Sequence, residues 1–462
     1  MGNNALVAII GGGITGLAAA YELHRRGTPF VLFERANRMG GVIHTEFTEG
    51  FTIDGGPDSF LTQKPAAVEL CSELGLQERL ISTLPPRTAY ICRAGQLYPL
   101  PKQSVLGIPT RLKSFASMPI LSASGKIRMA MDLIKTGASR DRDESVGSFF
   151  RRRFGQESVA YIAEPLLAGI HAGDVDRLSM RALFPTLVDA ERSYGSVIKG
   201  LHFRQNSRPP SQGGLFRSLV GGIGELTSAI VDTLSTVTLR TNTEVTQITG
   251  GAPFRVHLAS GETILANQVI LTTPAYRTEH LISAIDPTLS NMCGTIPYTS
   301  TATVVLSYPK TSVSHPLDGT GFVVPRVERG LSLMAASWIS SKWPHRVPPG
   351  QILLRGFLGG PRQPDVLEQS DQELVSTVHR DLSRLLGISS QPVITSVFRW
   401  PRVNPQHEVG HLERISSIDD RLRDIPGLHI VGAGFRGVGI PDCVSHGRAA
   451  GSCAAELLKP SV

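Results

Sequence analysis

Cysteine is too scarce and too scattered in this chain to build a framework. The five in 462 residues stand at 71, 92, 293, 443 and 453, and no two form a CxxC pair. Such a set gives neither a disulfide scaffold nor a zinc site, and it points to a reducing compartment such as the cytoplasm. Long apolar runs are missing too. Ala5–Tyr21 is free of charge for 17 residues, but it lacks a basic flank and its glycines form a turn pattern, which argues against a signal or membrane segment. Elsewhere nothing approaches the roughly 20 apolar residues that a spanning helix needs. Basic runs stop at Arg151-Arg152-Arg153, and no aromatic-interleaved basic stripe occurs. Nucleic acid is therefore not an expected partner, although the net charge of +7 favours anionic ones. An acidic small molecule or a membrane surface fits better. There is no GxSxG, no readable Ser-His-Asp arrangement, no paired-carboxylate signal and no internal repeat. No side chain stands out as a catalyst.

What is present begins at the amino terminus. An apolar run over 5–10 meets Gly11-Gly12-Gly13-Ile14-Thr15-Gly16, a helical pattern follows to Arg26, and a second apolar run, 30–33, ends on Glu34. This is βαβ with glycines in the turn. Gly11 permits the tight turn, Gly13 lets backbone N–H groups approach a pyrophosphate, and Gly16 lets helix and strand pack closely. The helix N-terminus adds partial positive charge, and Glu34 is placed to accept from a ribose diol. After it come Arg35-Ala-Asn-Arg38-Met-Gly40-Gly41-Val42. An Arg-x-Gly-Gly directly after the second strand resembles the signature of the large flavoprotein family that contains amine oxidases, phytoene desaturases and protoporphyrinogen oxidases. That resemblance, rather than spacing, implies FAD, a cofactor that can carry the chemistry the side chains do not offer.

Further along, 42–47 and 50–54 read as a short hairpin, and Gly55-Gly56-Pro57-Asp58-Ser59 as a rigid turn. Residues 64–80 look helical, and 90–93 with 97–101 form a second hairpin. From Val105 to about Leu187 the pattern is helical, broken at Pro109 and Pro119, with an amphipathic piece at 124–136 and basic residues at 111, 113, 126, 128 and 135. A glycine-rich turn at Gly213 leads into a helix, and 269–275 reads as a buried strand. Residues 297–360 alternate as an antiparallel sheet. Asp371–Leu386 is a clear amphipathic helix. Gly437-Val438-Gly439-Ile440-Pro441 opens a last helix, with proline in its first turn. The expected fold class is α/β: a discontinuous Rossmann-like FAD-binding domain (1–65, 212–275, 395–462), an antiparallel-sheet substrate domain (66–102, 188–211, 276–394) and a helical insertion (103–187).

His407-Glu408-Val409-Gly410-His411 matches HExxH. Zinc chemistry requires both histidines on one face of a continuous helix. Pro401, Pro405 and Gly410 argue against that, and no amphipathic helix is read around the motif. No metal is expected.

Over nearly its whole length the chain resembles the oxygen-dependent protoporphyrinogen/coproporphyrinogen oxidases of haem biosynthesis. The resemblance rests on 11–18, Gly-Pro-Asp-Ser-Phe-Leu (56–61), Leu-Pro-Lys (100–102), Gly-Ile-Pro-Thr (107–110), Glu-Pro-Leu-Leu-Ala-Gly-Ile-His-Ala-Gly-Asp (164–174), Arg-Trp-Pro (399–401), 405–411 and 437–443. It implies that the Gly56–Ser59 turn passes near the isoalloxazine, that Val245 packs beside the adenine end, and that Trp400, Val438, Gly439 and Ile440 contact the flavin. It implies a six-electron oxidation of a porphyrinogen by O2, with hydride leaving a meso carbon for flavin N5 and hydrogen peroxide released. Val323 and Phe357 match an apolar substrate clamp. Mitochondrial relatives carry an arginine where this chain has Ala89, and Arg87 and Arg93 are the nearest candidates for a substrate carboxylate. With residues 100–110, this departure resembles the coproporphyrinogen-using bacterial branch. Protoporphyrinogen IX oxidation stays open, as do an amine oxidase or carotenoid desaturase and a non-catalytic FAD-binding sensor. Homodimer formation and peripheral membrane contact by the helical insertion are left open as well.

Overall fold

In the computed structural model the described residues are 6–101, 104–110, 118–135, 142–206, 214–234 and 238–458. Lys102, Arg111, Lys113 and the turn at Gly213 lie outside them.

The first strand, β1 (Val7–Ile10), is central to a five-stranded parallel sheet. Its order is Leu239–Arg240, β2 (Phe30–Phe33), β1, Gln268–Leu271, Leu428–Ile430, so three distant stretches of chain build one sheet. Val7 pairs with Phe30 on one side and Gln268 on the other. All four residues of β1 are buried, as are those of Gln268–Leu271. Unbroken apolar strands are what a sheet covered on both faces requires. One face is covered by α1 (Ile14–Arg25), Gly224–Thr233 and Ile440–Leu457, with Leu17, Leu226 and Val444 in one core. The other carries a three-stranded antiparallel sheet (Val245–Thr249, Phe254–Leu258, Thr263–Ala266) and the helices Ala275–Ile282 and His411–Leu422.

The second large sheet has seven strands, ordered Ile394–Pro405, Tyr298–Pro309, Gln351–Gly359, Ala335–Trp338, Gly321–Val323, Ala89–Arg93, Gln96–Pro99. It is antiparallel except where Gly321–Val323 runs parallel to Ala89–Arg93. Val304, Leu306 and Leu354 pack one face on Leu374, Val378 and Leu382 of Asp371–Leu386. That helix starts on a capping box, Ser370 with Glu373, and stops at left-handed Gly387, the local signals that delimit a helix.

Over the other face lies the helical region. Val146–Phe154, Glu164–His171 and Pro185–Tyr194 share a core with Val197, Ile198 and Leu201 of Val197–Asn206, so helices continue past Leu187 in one packing unit. The apolar positions of these later helices have no other core to enter. Three local expectations differ. Helix 64–80 is only Ala66–Glu73, followed by a 3₁₀ turn and a strand, Leu80–Ser82. That strand pairs with Phe216–Leu219, a stretch expected to lead straight into a helix. Residues 104–109 form a two-stranded hairpin rather than helix, because Pro109 cannot continue one.

Candidate functional site: a dinucleotide cradle facing a sheet

The phosphate turn is built on space. A Cβ at Gly11 (φ +108°) would meet Thr272 Oγ1 at 2.8 Å, one at Gly12 the Met39 sulfur at 2.4 Å, and one at Gly16 the carbonyl of Gly11 at 2.0 Å. Gly13 alone opens onto nothing within 4 Å. It caps α1 without a side-chain hydrogen bond, leaving the first-turn N–H groups around Ile14, Thr15 and Gly16 for an anion. Glu34, at the end of β2, accepts from the N–H of Gly12 at 2.7 Å and of Ala36 at 2.8 Å. Its carboxylate thus lies against the glycine turn. Arg35 is exposed. Arg38 donates to the carbonyls of Gly41 (2.7 Å) and Ile43 (3.0 Å). It shapes the Gly40–Val42 turn, where Gly40 N–H bonds Gly12 O and a Cβ on Gly41 would lie 3.1 Å from Gly13 Cα. Val42 is partly exposed beside it. Val245 is buried with Ile10 and Phe33.

A second turn meets the first. Gly56 has no room for a Cβ, which would sit 1.8 Å from Val42 O. The Gly55–Ser59 turn is held from the antiparallel sheet: Trp400 Nε1 donates to Gly55 O at 3.2 Å, and Arg355 donates to Gly56 O. Lys342 Nζ reaches Asp58 Oδ2 at 2.6 Å, and Pro57 lies between the two contacts. On the far side Gly437 (φ +150°) and Val438 lead to Gly439, which caps Ile440–Leu457. Asp442 of that helix pairs with Lys64 at 2.6 Å, tying the helix start to the same turn region.

The seven-stranded sheet places its side chains in rows. Val323 pairs with Ala335, Ala335 with Phe357, Phe357 with Thr303 and Thr303 with Phe398, so all five share one face. Val323 and Phe357 are half-buried with Ala335 between them. A Cβ on exposed Gly169, from the Glu164–His171 helix, would touch Val323 at 3.1 Å. Arg355 lies 5.1 Å from the Phe357 ring centroid. The two arginines expected to hold carboxylates already have partners within the protein. Arg93 meets Ile120 O, Glu157 at 3.3 Å and the Tyr161 ring at 4.6 Å; Arg87 is exposed and donates to Thr83 O at 2.8 Å.

The HExxH stretch is not one helix. Gly410 takes φ +87°, and a helix begins only at His411, so an amphipathic helix does follow the motif without containing it. The rings of His407 and His411 stack with centroids 4.0 Å apart. Their Nε2 atoms lie 3.1 Å from Ala433 O and 2.9 Å from Phe435 O. Carbonyls only accept, so both Nε2 atoms carry hydrogen and serve as donors to the short helix Ala433–Arg436.

Arg38, Gly169, Lys342 and Arg355 were not singled out as site residues from the sequence. For Arg355 a signal existed: it is the lone charge in the apolar strand 352–357.

A glycine cradle at the carboxyl end of a parallel sheet, turned toward a broad antiparallel face, defines a dinucleotide-dependent oxidoreductase. The chain belongs to the flavin-containing amine oxidoreductase family, which matches residues 14–454. It is similar to a coproporphyrinogen III oxidase of Bacillus subtilis (strain 168), at 37% identity over 98% of this chain and 98% of that one. It is also similar to a coproporphyrinogen III oxidase of Staphylococcus aureus, at 35% identity over 96% of this chain and 97% of that one. A crystal structure from Exiguobacterium sp. 255-15, provisionally assigned as a protoporphyrinogen oxidase, superposes with a TM-score of 0.88 at 32% identity, covering 99% of this chain and 100% of the other. The cofactor is FAD. The residues fit it: three glycines leave no room for a Cβ, the fourth opens at a helix N-terminus, and an acid closes the second strand.

Proposed function

We propose that this protein oxidises a porphyrinogen to a porphyrin, removing six electrons with O2 as acceptor, and that coproporphyrinogen III is the preferred substrate. The observation that carries the reading is end-to-end similarity to two bacterial coproporphyrinogen III oxidases. Ala89, where an arginine would serve the less charged protoporphyrinogen IX, supports the same choice. FAD, when bound, supplies the two-electron chemistry, taking hydride from carbon and passing electrons to oxygen. The chain's own residues bind and orient. Gly11–Gly16 and Glu34 hold the nucleotide; Gly40–Val42, Gly56–Ser59, Trp400 and Val438–Ile440 seat the ring end. Val323 and Phe357, with Gly169 opposite Val323, present an apolar surface to the macrocycle, and the absence of a side chain on Gly169 keeps it open. Aromatisation drives the reaction, so no strong base is required.

In the proposed division into FAD domain, substrate domain and helical insertion, the macrocycle lies at the seam between the second sheet and the helices. No helix among the described residues is long and apolar enough to cross a membrane. Exposed Ile127, Met131 and Ile134 support peripheral membrane contact by the helical region. The test is to follow porphyrin fluorescence and peroxide in air with coproporphyrinogen III and with protoporphyrinogen IX. Faster turnover of the former is expected. Preference for the latter would reassign the substrate, and a yellow protein inert toward both would defeat the proposal.

A further inference from the structure

The ion pairs beneath the Gly55–Ser59 turn do not cancel. Arg346 and Asp54 form one complete pair: Nη1 meets Oδ2 at 2.6 Å, with both side chains 1% exposed. Arg346 also donates to Ser218 Oγ and Leu219 O. Asp58, in contrast, serves two cations. Lys342 Nζ stands 2.6 Å and Arg355 Nη1 3.6 Å from its Oδ2, while Ser59 Oγ donates to Oδ1 at 2.8 Å. All three charged side chains are largely buried, at 12% (Lys342), 13% (Asp58) and 3% (Arg355) exposure. Three cations therefore face two carboxylates, and Arg355 Nε has no hydrogen-bond partner. Burial alone would push the Asp58 carboxyl up, but Lys342 and Arg355 outweigh it and hold the group well below the usual carboxylate range. A buried charge without its own counterion is costly, so a site that keeps one is suited to an incoming anion.

Backbone contacts place that anion. The phosphate turn touches Gly41, and the carbonyl of Val42 touches Gly56. The chain thus runs in contact from cradle to cluster. On the FAD reading above, Glu34 and Val245 take the adenosine end. The Lys64–Asp442 pair brings the start of the last helix to the same place. The non-nucleotide end of the cofactor is bounded by these elements.

Building on the FAD reading above, we propose that the Lys342–Asp58–Arg355 cluster sets a net positive charge beside the isoalloxazine and favours its reduced, anionic form over the oxidised one. The oxidised ring is neutral, whereas the reduced ring loses its N1 proton and becomes an anion. A fixed cation in a poorly screened site acts on that difference alone. Lys342 and Arg355 act as positioning residues, setting the field rather than touching a reacting atom.

Two substitutions with opposite expected signs test this. Lys342→Met leaves Asp58 neutralised by Arg355; Asp58→Asn leaves both cations unopposed. In the FAD-loaded proteins, Lys342→Met lowers the reduced-over-oxidised affinity ratio by about tenfold, which is about 30 mV in midpoint potential for a two-electron couple. Asp58→Asn raises it, and Lys342→Arg leaves it near wild type. Shifts of the same sign in the first two variants would overturn the proposal as plain loosening of the site. An unchanged potential with a raised KM for coproporphyrinogen III would overturn it by assigning the charge to a substrate carboxylate. If Lys342→Met does not fold, the sign of the Asp58→Asn shift decides. Flavin absorbance separates the two levels of failure. Wild-type protein that takes up no FAD defeats the functional reading, whereas bound flavin with an insensitive potential defeats only the charge cluster.

Discussion

His407 and His411 are spent on backbone carbonyls, and this gives the protein a pH dependence with a definite sign. Both rings are buried, at 3% and 1% exposure. Burial, helped by mutual repulsion, lowers the pKa of His411 to about 3, and burial lowers that of His407 although its bonds to backbone carbonyls pull the other way. In the unfolded chain each titrates near the usual value of about 6.5. Below that pH the unfolded state binds protons that the folded state refuses, so stability is full above about 6.5 and falls as pH drops toward 3. A histidine that stays neutral in the fold at pH 5, as His411 does, subtracts about 2 kcal/mol relative to pH 7. Thermal melts from pH 7 to 5 should show that loss, and the double variant His407→Gln/His411→Gln should have a flatter slope whatever its absolute stability. An equal slope would mean that other groups carry the dependence.

Between elements, α1 and the last helix pack backbone against backbone. Thr15, Ala18 and Ala19 face a glycine seam, Gly447 and Gly451, in which a Cβ on Gly447 would lie 2.2 Å from Thr15 O. Alanine in place of a helical glycine usually gains up to about 1 kcal/mol in propensity. Here the clash is with backbone that cannot rotate away, and forced repacking costs about 1–3 kcal/mol. Gly447→Ala should therefore lower the melting temperature of the FAD-loaded protein and weaken FAD retention, because Thr15 belongs to the phosphate turn. A rise in melting temperature would show that the helices can separate freely. The same locality explains what the sequence made legible. The βαβ cradle and the capped helix Asp371–Leu386 are specified by neighbours within a few residues. Phe216–Leu219 was missed because its strand character comes from Leu80–Ser82, more than a hundred residues away. The helices beyond Leu187 were assigned to another domain because nothing local tells which core Val197 and Leu201 enter. Within the site the cradle was legible on the same grounds. The Asp58 cluster was not, since Lys342 stands 284 residues from the carboxylate it meets.

For the whole molecule the relevant quantity is charge seen at a distance. The chain carries +7, from 46 basic against 39 acidic residues. Many arginines are already consumed locally, as Arg152 and Arg153 are by Glu144, Glu191 and Asp132. The excess acts on diffusing anions rather than on the fold. Coproporphyrinogen III brings four carboxylates and protoporphyrinogen IX fewer, so the proposed substrate should feel that field more strongly. Raising ionic strength from about 0.01 to 0.15 M shortens the Debye length from about 30 to 8 Å, which removes most steering between exposed charges. If encounter limits kcat/KM, coproporphyrinogen III should lose several-fold over that range and protoporphyrinogen IX distinctly less, with kcat changed for neither. Initial rates at substrate concentrations well below KM, at matched pH, read this directly. Parallel slopes for the two substrates would mean that the surplus charge plays no part in choosing between them, and that selection rests on contacts inside the cavity alone.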